Sequence, residues 1–77
     1  MVPLGLMGEG EGGEIVACRG RAGEPADARA EDLGLRVGNR VQVLRNGQGP
    51  LLVKVDESRI ALDRGLAMRI GVRREER

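Results

Sequence analysis

Very few side chains in this sequence could perform covalent chemistry. The 77 residues include one cysteine, Cys18, and one lysine, Lys54, but no histidine, phenylalanine, tyrosine or tryptophan. Nucleophilic catalysis needs a serine, a cysteine or a similar group with a base within hydrogen-bond reach. Because neither Ser58 nor Cys18 has an evident base beside it, we do not expect covalent catalysis.

Three carboxylates near the start of the chain, Glu9, Glu11 and Glu14, are of the residue type that general acid–base catalysis uses. They lie in or beside the glycine-rich residues 8–13, where side chains are held too loosely for catalytic geometry. A phosphate-binding loop is not predicted there either, because the segment precedes the first strand and its acids repel phosphate. We therefore predict that the protein is not an enzyme.

Metal ligands are equally scarce in the sequence. Iron and zinc sites rely on imidazole and thiolate, and we expect the lone thiol, on Cys18, to pack as a small apolar side chain. The carboxylates of Asp56, Glu57 and Asp63 could hold a hard cation weakly, but two of them suit a turn and a helix cap. We predict no metal site and no cofactor. The scattered methionines are expected to pack against other residues: Met1, Met7 and Met68.

The missing aromatic residues argue against two kinds of binding. Polyproline peptides dock on aromatic-lined grooves, and single-stranded nucleic acid stacks its bases on aromatic side chains. The net charge is only +1, although residues 1–35 carry −4 and residues 36–77 carry +5. We expect no nucleic-acid partner. The uneven charge has two interpretations: an ordinary solvated surface or, more specifically, a basic face that could dock on an acidic protein.

Length and composition indicate a single small domain over residues 1–77. Hydrophobic residues make up 40% and charged residues 32% of the chain, which is a globular composition. One unpaired cysteine suits a reducing compartment. Because no signal peptide and no apolar run near the ~20 residues of a membrane span are seen, we predict a cytoplasmic protein without direct membrane insertion. Weak self-association is left open.

The pattern of apolar residues predicts a mainly β fold. Alternation indicates five short strands that follow an irregular lead-in over residues 1–13. One short helix, Pro25–Leu33, lies between the first and second strands, and a single helical turn, Arg64–Met68 with Asp63 as its N-cap, precedes the last. Residues 74–77 are expected to fray. The predicted strands cover residues 14–19, 40–45, 51–55, 59–62 and 69–73.

Three turns carry local signals. Gly34 stands where a left-handed residue ends a helix, with Leu35 as the following hydrophobic contact. Gly38 suits a turn that needs a positive φ. The pair Asn46-Gly47 favours a primed hairpin turn.

The predicted core is aliphatic, and five short strands around it suggest a small antiparallel barrel. Leu4, Leu6 and Met7 could tuck the lead-in onto this core. The predicted buried positions on strands and helices are Ile15, Ala17, Leu33, Leu35, Val41, Val43, Leu51, Val53, Val55, Ile60, Leu62, Leu66, Ile70 and Val72.

Three segments resemble the ferrous-iron transport protein A (FeoA) family, whose members are small cytosolic SH3-like barrels. They are Gly10-Glu11-Gly12-Gly13-Glu14-Ile15-Val16, Leu33-Gly34-Leu35-Arg36-Val37-Gly38 and Ser58-Arg59-Ile60-Ala61-Leu62-Asp63-Arg64-Gly65-Leu66-Ala67-Met68. The chain is also similar to the SH3-like C-terminal domain of repressors of the diphtheria-toxin-repressor type. The resemblance implies an SH3-like five-stranded antiparallel barrel.

The same resemblance implies a non-catalytic role beside FeoB, the membrane GTPase that imports ferrous iron. Such a protein would bind the cytosolic part of FeoB and modulate its assembly or activity. Two alternatives stay open. One is a freestanding repressor-type module that regulates a transcription factor or another protein, and the other is a metal sensor that uses carboxylates.

The end of the predicted helix is our candidate surface for a protein partner. Leu33 and Leu35 lie there, with Arg36 and Arg40 at the rim. The alternative interpretation is that both leucines belong to the core.

Overall fold

The computed structural model describes residues 1–19 and 32–75. The described strands form one antiparallel sheet of six strands in the order β1-β6-β2-β3-β4-β5. A 3-10 helix, Leu4–Leu6, follows β1, and an α-helix, α1, at Arg64–Met68, precedes β6. The strands are β1 Val2–Pro3, β2 Gly12–Cys18, β3 Arg40–Arg45, β4 Leu51–Val55, β5 Ser58–Leu62 and β6 Ile70–Arg74.

The predicted mainly β, antiparallel architecture is confirmed, but the structure has a sixth strand. Strand β1 lies in the predicted irregular lead-in and pairs with β6, with Val2 opposite Val72 and Pro3 opposite Gly71. Pro3 is tolerated because β1 is at the edge of the sheet, where a missing N–H costs no ladder hydrogen bond. At the other end of the chain, Arg74 belongs to β6 and not to a frayed tail. The helix predicted over Pro25–Leu33 lies outside the described residues, except for its last two positions.

Helix α1 has the predicted bounds because its first turn is capped. The Asp63 carboxylate accepts a hydrogen bond from the Leu66 N–H at 2.8 Å, which satisfies one of the N–H groups that no helical carbonyl can reach. Leu66 and Ala67 are buried on the inner side of the short helix. The cap prediction is confirmed.

One aliphatic core lies inside the curved sheet and is covered at one end by the 3-10 helix and α1. Eleven of the fourteen predicted positions are in it, whereas Ala17, Leu33 and Ile60 are only half-buried. The fully assembled core comprises Leu4, Met7, Ile15, Leu35, Val41, Val43, Leu51, Val53, Val55, Leu62, Leu66, Ala67, Ile70 and Val72.

The lead-in contributes two of these core side chains. Leu4 and Met7 are 0% and 1% exposed, whereas Leu6 is 69% exposed. With three residues per turn, a 3-10 helix places residues i and i+3 on the same side, so Leu4 and Met7 face the core together. The prediction that Leu6 also packs there is wrong.

The hairpin between β3 and β4 differs from its prediction. Neither Asn46 nor Gly47 has a positive φ, whereas Gly49 does, at 91°. The Asn46 side-chain amide instead donates to the carbonyl of Met7 at 2.7 Å and to that of Gly5 at 3.3 Å. A five-residue connection does not need a two-residue primed turn, and the asparagine ties this loop to the lead-in.

Candidate functional site

The described residues form a cleft of about 800 Å³ that is open to solvent. It lies where β2 and β3 begin and where β4 ends. Glycine backbone forms part of its lining, and polar side chains form most of the rest. These lining residues include Gly10, Gly12, Gly13, Gly38, Asn39, Arg40, Gln42 and Lys54.

The pairing of β2 with β3 creates the cleft. Gly12 lies opposite Gln42, and Glu14 lies opposite Arg40. At Gly12 the two strands lie so close that a Cβ atom would come within 2.9 Å of the Val41 carbonyl oxygen, so backbone alone lines the cleft at this position. The cleft is therefore lined by glycine backbone on one strand and by long polar side chains on the next.

A tight turn over residues 34–39 forms one wall of the site. Gly34 and Gly38 take positive φ values of 91° and 98°, as predicted. The Asn39 side-chain amide donates to the Gly34 carbonyl at 2.7 Å, and the Gly38 N–H donates to the Ile15 carbonyl at 2.8 Å. The N–H of Ile15 donates in turn to the Asn39 carbonyl at 2.8 Å, so the turn is tied to β2 from both sides.

Four residues of the predicted partner surface border this turn. Leu35 is fully buried, and Leu33 is half-buried against the core. Arg36 and Arg40 are exposed, and Arg40 also lines the cleft. Leu35 is thus a core residue in this conformation, and the accessible part of the predicted surface consists of Leu33, Arg36 and Arg40. We call these three residues the turn patch.

The glutamates that the sequence brought close together have separate structural partners. The Glu14 carboxylate pairs with Arg73 at 2.6 Å, and the Glu11 carboxylate pairs with Arg74 at 3.1 Å. The Glu9 carboxylate accepts a hydrogen bond from the Asn46 N–H at 3.2 Å. Exposed ion pairs of this kind contribute little to stability, because solvent screens them. Glu14 and Glu11 therefore connect the start of β2 to β6, and Glu9 connects the lead-in to the β3–β4 loop.

Glu11 also shows a perturbed acidity. The Gly8 N–H donates to its carboxylate at 2.6 Å, and this hydrogen bond, together with the nearby Arg74 guanidinium, lowers the pKa of Glu11 below its ordinary value of 4.5. A lowered pKa means that the folded state binds the proton less tightly than the unfolded state does. The stability contributed by Glu11 is therefore present above pH 4.5 and is lost as the pH falls through the folded-state value.

We predict that Arg74→Ala raises the pKa of Glu11 towards 4.5, because one of the interactions that favour the carboxylate is removed. Following the Glu11 side-chain carbonyl carbon by NMR between pH 2 and pH 7 measures this shift. Arg64→Ala is the matched control, since Arg64 contacts the Gly47 carbonyl instead. An unchanged Glu11 pKa in Arg74→Ala would show that Arg74 has no effect on this carboxylate.

Cys18 is half-buried at the end of β2 and packs against the core. Its thiol donates to the Leu35 carbonyl at 3.0 Å. This position agrees with the predicted role as a small apolar residue on a strand. Within residues 1–19 and 32–75, no group of three or more histidine, cysteine, aspartate or glutamate side chains is placed to hold a metal ion. Over the same ranges, no helix has the length and apolar character of a membrane span.

Sequence reasoning missed the residues that form the cleft floor. The alternation in β3 and β4 does predict that Gln42 and Lys54 point outward. It cannot predict that Gly12 pairs with Gln42, because alternation within one strand does not determine its register with a distant strand. The cleft therefore emerges only when the strands are paired.

Comparisons with known proteins agree with this fold. A protein of Methanocaldococcus jannaschii, provisionally named Fe(2+) transport protein A, is 39% identical over 72 residues, covering 94% of this chain and 85% of the relative. The crystal structure of an iron uptake regulatory protein (FeoA) superimposes with a TM-score of 0.84 at 38% identity and covers 96% of each chain.

A second solved structure shows the fold class. Stenotrophomonas maltophilia FeoA, solved with zinc and described as a procaryotic SH3 domain protein, gives a TM-score of 0.85 at 24% identity over 97% of this chain and 96% of that one. The predicted SH3-like architecture is thereby confirmed. The model of the FeoA domain matches residues 2–74. Together with the 39% identity to the archaeal relative, this match shows that the chain belongs to the FeoA domain family.

Proposed function

We propose that this protein is a non-catalytic, cytoplasmic accessory of ferrous-iron uptake. It binds the cytosolic part of a FeoB-type membrane GTPase and changes the assembly or the nucleotide hydrolysis of that enzyme. The observation that carries the proposal is the FeoA domain match over residues 2–74. The names of two similar proteins, an Fe(2+) transport protein A and an iron uptake regulatory protein, support the link to iron transport.

The surface beside the cleft supports a role in protein binding. The turn patch joins a half-buried leucine, Leu33, to the exposed cations Arg36 and Arg40. An apolar centre with polar or charged residues around it is the usual anatomy of a protein interface. The turn is held to β2 by hydrogen bonds on both sides, so the patch is presented by ordered backbone and loses little entropy on binding.

The experiment uses the full-length GTPase purified in detergent or nanodiscs, encoded by the same genome. We expect the two proteins to co-elute in size-exclusion chromatography and the GTP hydrolysis rate or the oligomeric state of the enzyme to change. Arg36→Glu combined with Arg40→Glu is expected to weaken binding at least about tenfold, which corresponds to about 1.4 kcal/mol. Arg64→Glu, a reversal of charge outside the turn patch, is the control.

Two results would contradict the proposal in different ways. Absence of co-elution together with an unchanged hydrolysis rate would remove the GTPase as partner and favour a repressor-type interaction module. Equal binding by the double variant and the control would leave the GTPase as partner but would remove the turn patch as the docking surface. Thermal melts of each variant, compared with the parent protein, separate lost binding from lost folding.

A further inference from the structure

Strands β3, β4 and β5 present an outer face that is strongly basic. Gln42 lies opposite Lys54, and Lys54 lies opposite Arg59. A register shift in β3 after Val43 sets Arg45 opposite Leu52. Paired side chains share a face, so the outward positions can be assigned from the register. These positions include four cations and no acid. The outward residues are Arg40, Gln42, Arg45, Leu52, Lys54, Arg59 and Ala61.

Two of these cations lie directly opposite each other. The β4–β5 loop has two residues, so Val55–Ser58 is a hydrogen-bonded pair and Lys54–Arg59, the next pair, is a non-hydrogen-bonded one whose side chains are closer. Like charges in such a position are destabilising. A side chain of opposite charge brought from outside would relieve this repulsion.

Among the described residues, acids form a salt bridge with only one of these four cations. Arg40 pairs with Glu75, whereas the described residues show no salt bridge to Arg45, Lys54 or Arg59. Asp63, which follows β5, uses a carboxylate oxygen to cap α1. Asp56 and Glu57 lie in the exposed β4–β5 loop, beyond the ends of the paired strands.

An apolar pair lies among the cations. Leu52 is opposite Ala61, and Arg45 is opposite Leu52. Ala61 is exposed and Leu52 is half-buried. We call Arg45, Leu52, Lys54, Arg59 and Ala61 the basic face. Its composition suits a partner that offers acidic side chains together with an apolar one.

Strand β5 is also an end of the sheet. It pairs with β4, and no backbone hydrogen bond outside the strand ladders is formed by Ser58–Leu62 within residues 1–19 and 32–75. Because Arg59 and Ala61 are at non-hydrogen-bonded positions, their N–H and C=O groups point away from β4. Such an edge is a template for an added strand.

We propose that β5 receives an extended acidic segment of a partner protein as an additional strand. On the outer face, this segment places a carboxylate opposite Arg59 and an apolar side chain opposite Ala61, two residues apart. The inference rests on the proposed function in that the partner is a protein. Nucleic acid is the less suitable occupant because it cannot use the edge amides in a ladder and the chain has no aromatic residue for base stacking.

The direct test is a peptide titration followed by NMR and calorimetry at 50 mM and 200 mM salt. The probe is an acetylated nine-residue peptide in which threonine alternates with one valine and three glutamates, so that valine and glutamates share one face. We expect it to shift the amide signals of Arg59 and Ala61 and to bind more weakly at the higher salt concentration. The same peptide with lysine for glutamate should bind at least about tenfold more weakly.

Two changes separate charge from strand addition. Lys54→Glu combined with Arg59→Glu is expected to abolish binding of the glutamate peptide and to create binding of the lysine peptide. Methylation of the peptide nitrogens that face β5 should abolish binding while leaving the peptide's charge unchanged. Arg64→Glu is the matched control for a change of charge outside the basic face.

Several results would overturn the inference. They are equal binding of the two peptides, undiminished binding of the methylated peptide, or tighter binding of a single-stranded oligonucleotide than of the glutamate peptide. If the Lys54→Glu/Arg59→Glu variant binds the GTPase as tightly as the parent protein, the inference fails and the proposed function stands. If the peptide binds as expected and the GTPase does not, the proposed function fails and the inference stands.

Discussion

Replacing Gly13 with alanine is expected to destabilise the protein strongly and to lower its melting temperature by about 15 °C. Gly13 is buried in β2 between two neighbours, with Val41 on β3 and Arg74 on β6 opposite it. A Cβ atom at this position would overlap the Arg73 carbonyl oxygen and lie 2.9 Å from the Arg74 Cα. All of these atoms are backbone, so no side chain can rotate away, and the β2–β6 ladder must separate.

The cost of separating that ladder is large for a domain of this size. Overpacking and broken pairing at one buried site together destabilise by about 3 kcal/mol or more. Small domains have a total stability of roughly 5–15 kcal/mol. A loss of this size lowers the melting temperature by about 15 °C, which circular dichroism measures directly.

Gly47→Ala is the control because it makes the same chemical change at an open site. No atom lies within 4 Å of a Cβ built on Gly47, and its φ is not positive. Alanine there is expected to leave stability within about 1 kcal/mol of the parent value, or to raise it through a less flexible unfolded chain. Equal melting temperatures for the two variants would show that β2 does not lie tightly between β3 and β6.

Local patterns predicted those parts of the fold that local interactions determine. The bounds of β3, β4 and α1 follow from alternation and from the Asp63 cap, and the structure has them as predicted. The positive φ values of Gly34 and Gly38 follow from the chemistry of turns. These features depend on residues within a few positions of one another, which is the information that a single sequence holds.

Features that depend on distant contacts were predicted less well. Strand β1 exists because Val2 and Pro3 reach the edge of β6, almost seventy residues along the chain. Asn46 does not adopt the predicted primed turn, because its side-chain amide donates hydrogen bonds to carbonyls of the lead-in. In both cases, a long-range hydrogen bond decides a local conformation, and no pattern of neighbouring residues could indicate it.

The candidate site shows the same limit. Arg36 and Arg40 are exposed as expected, but Leu35 belongs to the core. The basic face consists of residues from three strands. Alternation predicts the outward positions on β4 and β5, whereas Arg45 faces outward because the register of β3 shifts after Val43. Their alignment into one uncompensated surface depends on the register of β3, β4 and β5. The family resemblance, now confirmed by the FeoA domain match, indicated an involvement in ferrous-iron transport, which side-chain chemistry alone did not.

Leu4→Ala is expected to cost about 3 kcal/mol of stability. The Leu4 side chain is 0% exposed, and the 3-10 helix that carries it packs against α1 and β6. Removing a buried leucine loses transfer free energy and leaves a cavity, at a cost of about 2–5 kcal/mol. Because Met7 and the Asn46 hydrogen bonds hold the same segment in place, the surrounding structure has little freedom to close that cavity.

Leu6→Ala removes the same atoms from the same helix and is the matched control. Leu6 is 69% exposed, so its truncation is expected to change stability by no more than about 0.5 kcal/mol. Urea denaturation of the two variants, with the midpoint and slope compared, measures the difference. If both variants have the parent midpoint, the lead-in is not part of the cooperative fold. If both lose stability equally, the orientation of the 3-10 helix differs from the one described, and β1 must reach β6 by another path.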